Sequence, residues 1–186
     1  PVSTDIHVRR SHLNVLSGHR ATITGSLLED HHAGHSGRVV TLQALSRHGW
    51  RALAHTHTGA SGHFRLVYEA RRIGSRLVRL RFAGDPLGNP SRRRIGRLNV
   101  YRLAGASWYG GGGGTACGEA LTSSMLGVAN KTLPCGTIVT LRYGGRSIRV
   151  PVIDRGPYVA GRDFDLTEAT KRALGFGDTG DVWSTD

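Results

Sequence analysis

The stretch Val152-Ile153-Asp154-Arg155-Gly156-Pro157-Tyr158 decides the reading of this chain. An apolar strand over residues 148–153 ends in an acid, and an Arg-Gly-Pro turn follows at once. A carboxylate fixed at a strand end beside a turn is held rigidly and faces a groove rather than a core, where a general acid is useful. A second acid, Asp165, stands eleven residues further on. With Glu168 three positions later it has the spacing of a capping box, so Asp165 is expected to open a helix that Gly175 closes. Two carboxylates are thereby expected near one surface.

Working outward, residues 138–143 and 146–153 read as strands joined through Gly144-Gly145, a strong hairpin signal. Ala106-Ser107-Trp108-Tyr109 reads as a short strand with adjacent aromatics. It runs into five consecutive glycines, residues 110–114, expected to form a mobile loop. Neither Gly-Lys-Ser/Thr nor a helix follows them, which argues against a phosphate cradle.

Composition divides the chain near Leu103. Residues 1–103 hold 17 Arg against 5 acids, a balance of +12, and all 10 histidines. Residues 104–186 hold 8 Lys/Arg against 8 acids and both cysteines. The break predicts two domains, 1–103 and 104–186. Cys117 and Cys135 have no histidine near them in the sequence to complete a metal site. A disulfide is the favoured reading, with two buried free thiols as the alternative; it implies an oxidising, extracytoplasmic compartment. No apolar run approaches the roughly 20 residues of a membrane span. Pro1 opens no signal-peptide pattern, so the chain reads as a mature or excised segment, its signal peptide removed.

In the first half, residues 21–28, 38–45, 51–58, 63–68, 76–82 and 96–103 alternate or run apolar at strand length. Such spacing predicts an antiparallel β-sandwich of immunoglobulin-like type. Thr58-Gly59-Ala60-Ser61-Gly62-His63-Phe64 resembles the turn of bacterial Ig-like and prealbumin-like modules. His31-His32-Ala33-Gly34-His35 reads as a solvated loop rather than a metal site. Arg92-Arg93-Arg94 reads either as a soluble face or as a contact for a polyanion, such as an anionic wall polymer or a membrane surface. Few aromatics and no groove-reading helix argue against specific nucleic-acid binding.

Four motifs of the second half, taken together, resemble a known family. They are Ala106-Ser107-Trp108-Tyr109-Gly110, Thr115-Ala116-Cys117-Gly118-Glu119, Lys131-Thr132-Leu133-Pro134, and Asp154-Arg155-Gly156-Pro157-Tyr158 with Asp165-Leu166. They resemble the rare lipoprotein A family of septal lytic transglycosylases, with likeness to the barwin and expansin barrels. The resemblance implies a mainly β chain whose second half is a six-stranded double-psi β-barrel with one short helix and an open groove. It implies peptidoglycan glycan strands as ligand and no cofactor. Its acid positions fall on Asp154 and Glu119. Trp108, Tyr109, Asn130, Arg155 and Asp165 are the expected substrate contacts. Asn130 stands where the family has histidine, and it cannot shuttle a proton near neutral pH. The implied reaction is non-hydrolytic cleavage between N-acetylmuramic acid and N-acetylglucosamine, leaving 1,6-anhydro ends. The alternative is an expansin-like module that grips wall polysaccharide without breaking it.

Overall fold

The computed structural model describes all residues, 1–186. The chain divides into two compact units, Pro1–Val100 and Tyr101–Asp186. Apart from one α-helix and a single 3-10 turn at Ala60–Gly62, every regular element is a strand.

In the first unit the strands are β1 (Thr4–His12), β2 (Asn14–Leu16), β3 (His19–Glu29), β4 (His32–Ala33), β5 (Val39–Ser46), β6 (Gly49–His57), β7 (His63–Ala70), β8 (Gly74–Phe82) and the first part of β9 (Ser91–Tyr109). One sheet places β3 between β1 and β7, with the short β4 also on β3; the other runs β6-β5-β8-β9. All of these pairings are antiparallel. Period-two alternation sends Ile6, Ala21, Ile23, Leu27 and Leu66 inward from the first sheet, and Val40, Leu42, Val78, Leu80, Phe82 and Leu98 from the second. These side chains form one core between the sheets, so this unit is a β-sandwich. Strand β1 escaped the sequence reading because Ile6 is its only fully buried residue, set among His, Arg and Ser. The histidine segment is a turn with Asp30 and His31 at positive φ, followed by β4, and His35 pairs with Glu29 at 2.8 Å.

The second unit takes the rest of β9 and adds β10 (Val128–Ala129), β11 (Ile138–Tyr143), β12 (Arg146–Asp154), β13 (Phe164–Thr167), helix α1 (Glu168–Leu174) and β14 (Thr179–Ser184). Its pairings close into a ring, β9-β14-β11-β12-β10-β13-β9. β10/β12 and β13/β9 are parallel and the other four pairs antiparallel. Six strands closed in this way leave no free sheet edge. Every strand sends residues to the interior: Ala104 and Ala106, Val128, Val139 and Leu141, Val150 and Val152, Phe164 and Leu166, and Val182. Gly144 and Gly145 make the expected two-residue hairpin, both at positive φ, joining Tyr143 to Arg146. Gly105 permits a close approach, since a Cβ there would lie 2.1 Å from the Gly161 carbonyl oxygen.

The helix does not begin where the capping-box spacing placed it. Asp165 lies inside β13, paired with Ala129 on one side and Ser107 on the other. Phe164 and Leu166 are core residues, and their alternation claims this segment for the barrel. The cap is Thr167, whose side chain accepts from the Thr170 N–H; Gly175 closes the helix in the left-handed conformation. Thr170 Oγ also bonds the Gly127 carbonyl at 2.9 Å and accepts from the Gly127 N–H at 3.0 Å, fastening the helix to the entry of β10.

Candidate functional site

Asp154 is the last residue of β12 and half-buried. Its Oδ1 accepts two backbone N–H groups, Ala116 at 2.8 Å and its neighbour Arg155 at 2.8 Å. Oδ1 is therefore committed to the backbone, leaving Oδ2 as the oxygen available for a proton or a ligand. Gly156 follows at φ +122, a conformation that suits glycine, and leads through a cis peptide into Pro157. An ideal Cβ at Gly156 would lie 3.7 Å from the Tyr158 ring and 4.0 Å from Asp165 Oδ2. The turn thus brings Asp165 and Tyr158 to one place.

Strand β9 supplies the next two groups. Ser107 and Tyr109 are two residues apart and share a face, beside Asp165 and Thr167 of β13. Ser107 Oγ donates to Asp165 Oδ1. The Tyr109 hydroxyl is buried and makes no hydrogen bond of normal geometry, although Asp154 is close enough to act on it. Burial first, then the negative charges of Asp154 and Asp165, push its pKa well above the usual phenol value. Tyr109 is consequently a neutral O–H held among carboxylates.

Glu119 enters through a tight turn rather than a strand. Thr115 N–H donates to the Glu119 carbonyl at 2.7 Å, and Glu119 N–H to Thr115 Oγ at 3.1 Å. Ala116 of this turn holds Asp154, and Cys117 N–H donates to the Ile153 carbonyl at 3.2 Å. The Cys117–Cys135 disulfide ties the same turn to the segment before β11. The Glu119 side chain is exposed. The contacts of Asp154 run to the backbone of the Glu119 turn, and both Asp154 and Asp165 act on Tyr109. The glycine run that precedes the turn is anchored at its far end, where Leu121 N–H donates to the Gly113 carbonyl at 2.7 Å and Gly114 bridges to Ala120.

Two expected glycan contacts turn inward. Asn130 is buried; its Oδ1 accepts from Thr132 N at 3.0 Å and Leu133 N at 2.9 Å, and its Nδ2 donates to the Asp163 carbonyl at 3.1 Å. The Arg155 Nη1 donates to the Asn130 carbonyl at 3.0 Å and the Leu133 carbonyl at 2.7 Å. Both side chains hold the 130–135 loop, because its carbonyls and N–H groups have no ladder to join and need partners. The adjacent aromatics also part company. Trp108 Nε1 donates to Asp178 at 2.9 Å, and Lys171 Nζ lies 3.9 Å from the Trp108 ring centroid, so one indole face is already covered. Tyr158 is the aromatic that sequence reasoning passed over. It is 81% exposed beside Asp165, and a flat apolar ring left in water at such a place suits a sugar face. Its place within the Asp-Arg-Gly-Pro-Tyr motif was the available signal.

Residues 103–182 match the family model described as lytic transglycolase, a double-psi β-barrel family. The match takes in nearly all of the second unit. The RlpA-like barrel also aligns with curated relatives. A probable endolytic peptidoglycan transglycosylase RlpA of Aquifex aeolicus is 43% identical over 106 residues, covering 51% of this chain and 47% of the relative. The protein of the same name from Synechocystis is 36% identical over 126 residues, covering 60% of this chain and 39% of the relative. The chain thus spans less than half the length of either. Among solved structures, the Streptomyces papain inhibitor is 27% identical with a TM-score of 0.38, covering 45% of this chain and 91% of the inhibitor.

Proposed function

We propose that the RlpA-like barrel cleaves peptidoglycan glycan strands as a lytic transglycosylase, outside the cytoplasm. The observation that carries this is the Asp154 carboxylate, one oxygen fixed by two backbone N–H groups and the other free of them, with the Tyr109 hydroxyl close to the carboxylate. In this reading Asp154 delivers its Oδ2 proton to the glycosidic oxygen between N-acetylmuramic acid and N-acetylglucosamine. As that bond breaks, the muramic C6 hydroxyl attacks its own anomeric carbon and gives up its proton to a carboxylate, Glu119 or the newly ionised Asp154. The product is a 1,6-anhydro end, and no water is consumed. The Ala116 and Arg155 N–H groups hold the acid in place, Tyr109 keeps a neutral O–H close to it, and Tyr158 supplies a face for a sugar ring.

A second reading, a non-lytic wall-binding module, is favoured by one observation: the unit contains no histidine, and Asn130 is consumed by its own loop. Incubation with glycan strands stripped of stem peptides separates the two. Mass spectrometry of the products shows new anhydro-muramic ends if the barrel is lytic; retention on the strands without new ends leaves only the binding module.

A further inference from the structure

Four arginines meet on the outer face of the second sheet of the sandwich. In β8, Val78, Leu80 and Phe82 point into the core, so Arg79 and Arg81 point away from it. The register sets Arg79 opposite Arg94 and Arg81 opposite Arg92. Directly opposed residues have Cβ atoms about 5 Å apart, and residues two apart on a strand are separated by about 6.6 Å. The result is a two-by-two grid of arginine positions. None has a carboxylate partner: Glu29 and Asp85 pair with Arg38, Glu69 with Arg71, Asp30 caps Ser3 N–H, and Asp5 lies on β1 of the other sheet.

Opposed like charges weaken a sheet, so the arrangement is costly as it stands. The strain is visible at Arg79, whose pKa is pushed down by burial and then by Arg92, Arg81 and Arg94. One member of the grid is also fixed in place. Arg79 Nε donates to Gln43 Oε1 at 2.8 Å, and its guanidinium lies 4.1 Å from the Trp50 ring centroid. Clustered, positioned guanidinium groups match phosphate oxygens, which they bind in bidentate pairs.

We propose that this face binds a phosphodiester-linked polyol polymer of the cell wall. Repeating phosphates along a flexible chain satisfy a grid of this spacing and relieve its repulsion. Nucleic acid carries the same charge, but Trp50, the one Trp, Tyr or Phe of this face, already has one ring face covered by Arg79, which leaves a base only the small His55 and His57 rings and the other Trp50 face. The choice of a wall polymer rests on the wall reading of the barrel. Binding is measured without turnover, so the two readings fail separately.

The test is equilibrium binding of the whole chain to labelled poly(glycerol phosphate), at about 50 and about 200 mM salt. The double variant Arg81→Ser/Arg92→Ser is expected to weaken binding about tenfold or more and to lower the slope of log affinity on log salt by about 1.5. Relief of repulsion should keep its melting temperature at or above the parent's; should it fail to fold, Arg92→Ser/Arg94→Ser, on the exposed strand alone, makes the same test. Arg10→Ser/Arg65→Ser removes equal charge from the other sheet and is expected to leave affinity nearly unchanged. Equal weakening by both pairs reduces the effect to net charge and overturns the site. So does absence of binding at the lower salt. Tighter binding to single-stranded DNA or to phosphatidylglycerol vesicles than to poly(glycerol phosphate) overturns the wall assignment.

Discussion

The backbone N–H of Ala116 donates to Asp154 Oδ1 at 2.8 Å, so the turn that carries Glu119 is fastened to the carboxylate at the end of β12. Loop and acid are one unit, and any substitution of Asp154 reports on both. Asp154→Asn keeps an acceptor for Ala116 and Arg155 but cannot deliver a proton. It is expected to fold with an unchanged melting temperature and to lose about 100-fold or more in formation of anhydro ends. Product analysis alongside thermal unfolding checks this. A folded Asp154→Asn protein retaining most of its activity moves the acid elsewhere.

Tyr109 makes a prediction at the opposite end of the pH scale. Its folded pKa is raised above the ordinary value, so the folded protein keeps a proton that the unfolded chain gives up above about pH 10. Its contribution is fully present below that pH and is lost as pH rises through the window above it. Chemical denaturation between about pH 8 and 11 is expected to show stability falling at the alkaline end, and Tyr109→Phe to flatten that fall. An identical slope in the variant dissociates Tyr109 from the effect.

The disulfide fixes the Glu119 turn from its other side. Cys117 and Cys135 are 18 residues apart, and closing such a loop contributes roughly 3 kcal/mol on the chain-entropy model. Cys117→Ser/Cys135→Ser is expected to lower stability by about that amount. Because the turn holds Asp154 through Ala116, the variant should also lose activity at temperatures where it remains folded. Melting curves with and without reductant, paired with the product assay, check both effects.

These outcomes show where the sequence was legible. Val78, Leu80 and Phe82 announced a strand because alternation is local, and Gly144-Gly145 announced a hairpin because two positive φ values are needed there. Asp154 was legible as an acid at a strand end. Asp165 was misread because its local spacing fits a helix cap equally well; only pairing with Ser107 and Ala129, distant in sequence, commits it to a strand. Tyr109 and Ser107 became site neighbours through the same parallel pairing of β9 with β13, which no local pattern encodes. Asn130 and Arg155 carry polar groups that suit a sugar, but unpaired backbone in the 130–135 loop claimed them first.

Asn130 therefore separates a structural from a ligand-binding role. Removing its amide leaves the Thr132 and Leu133 N–H groups and the Asp163 carbonyl without their partner in a part-buried place. Asn130→Ala is expected to cost about 2–3 kcal/mol, the penalty of stranded backbone groups. If the side chain serves only the loop, activity per folded molecule well below the melting temperature should stay within about threefold of the parent, and the pH–rate profile should not move. Activity is measured at a temperature where circular dichroism shows the variant fully folded. A loss of about 100-fold under those conditions, with KM raised and kcat little changed, would return Asn130 to the glycan as a direct contact.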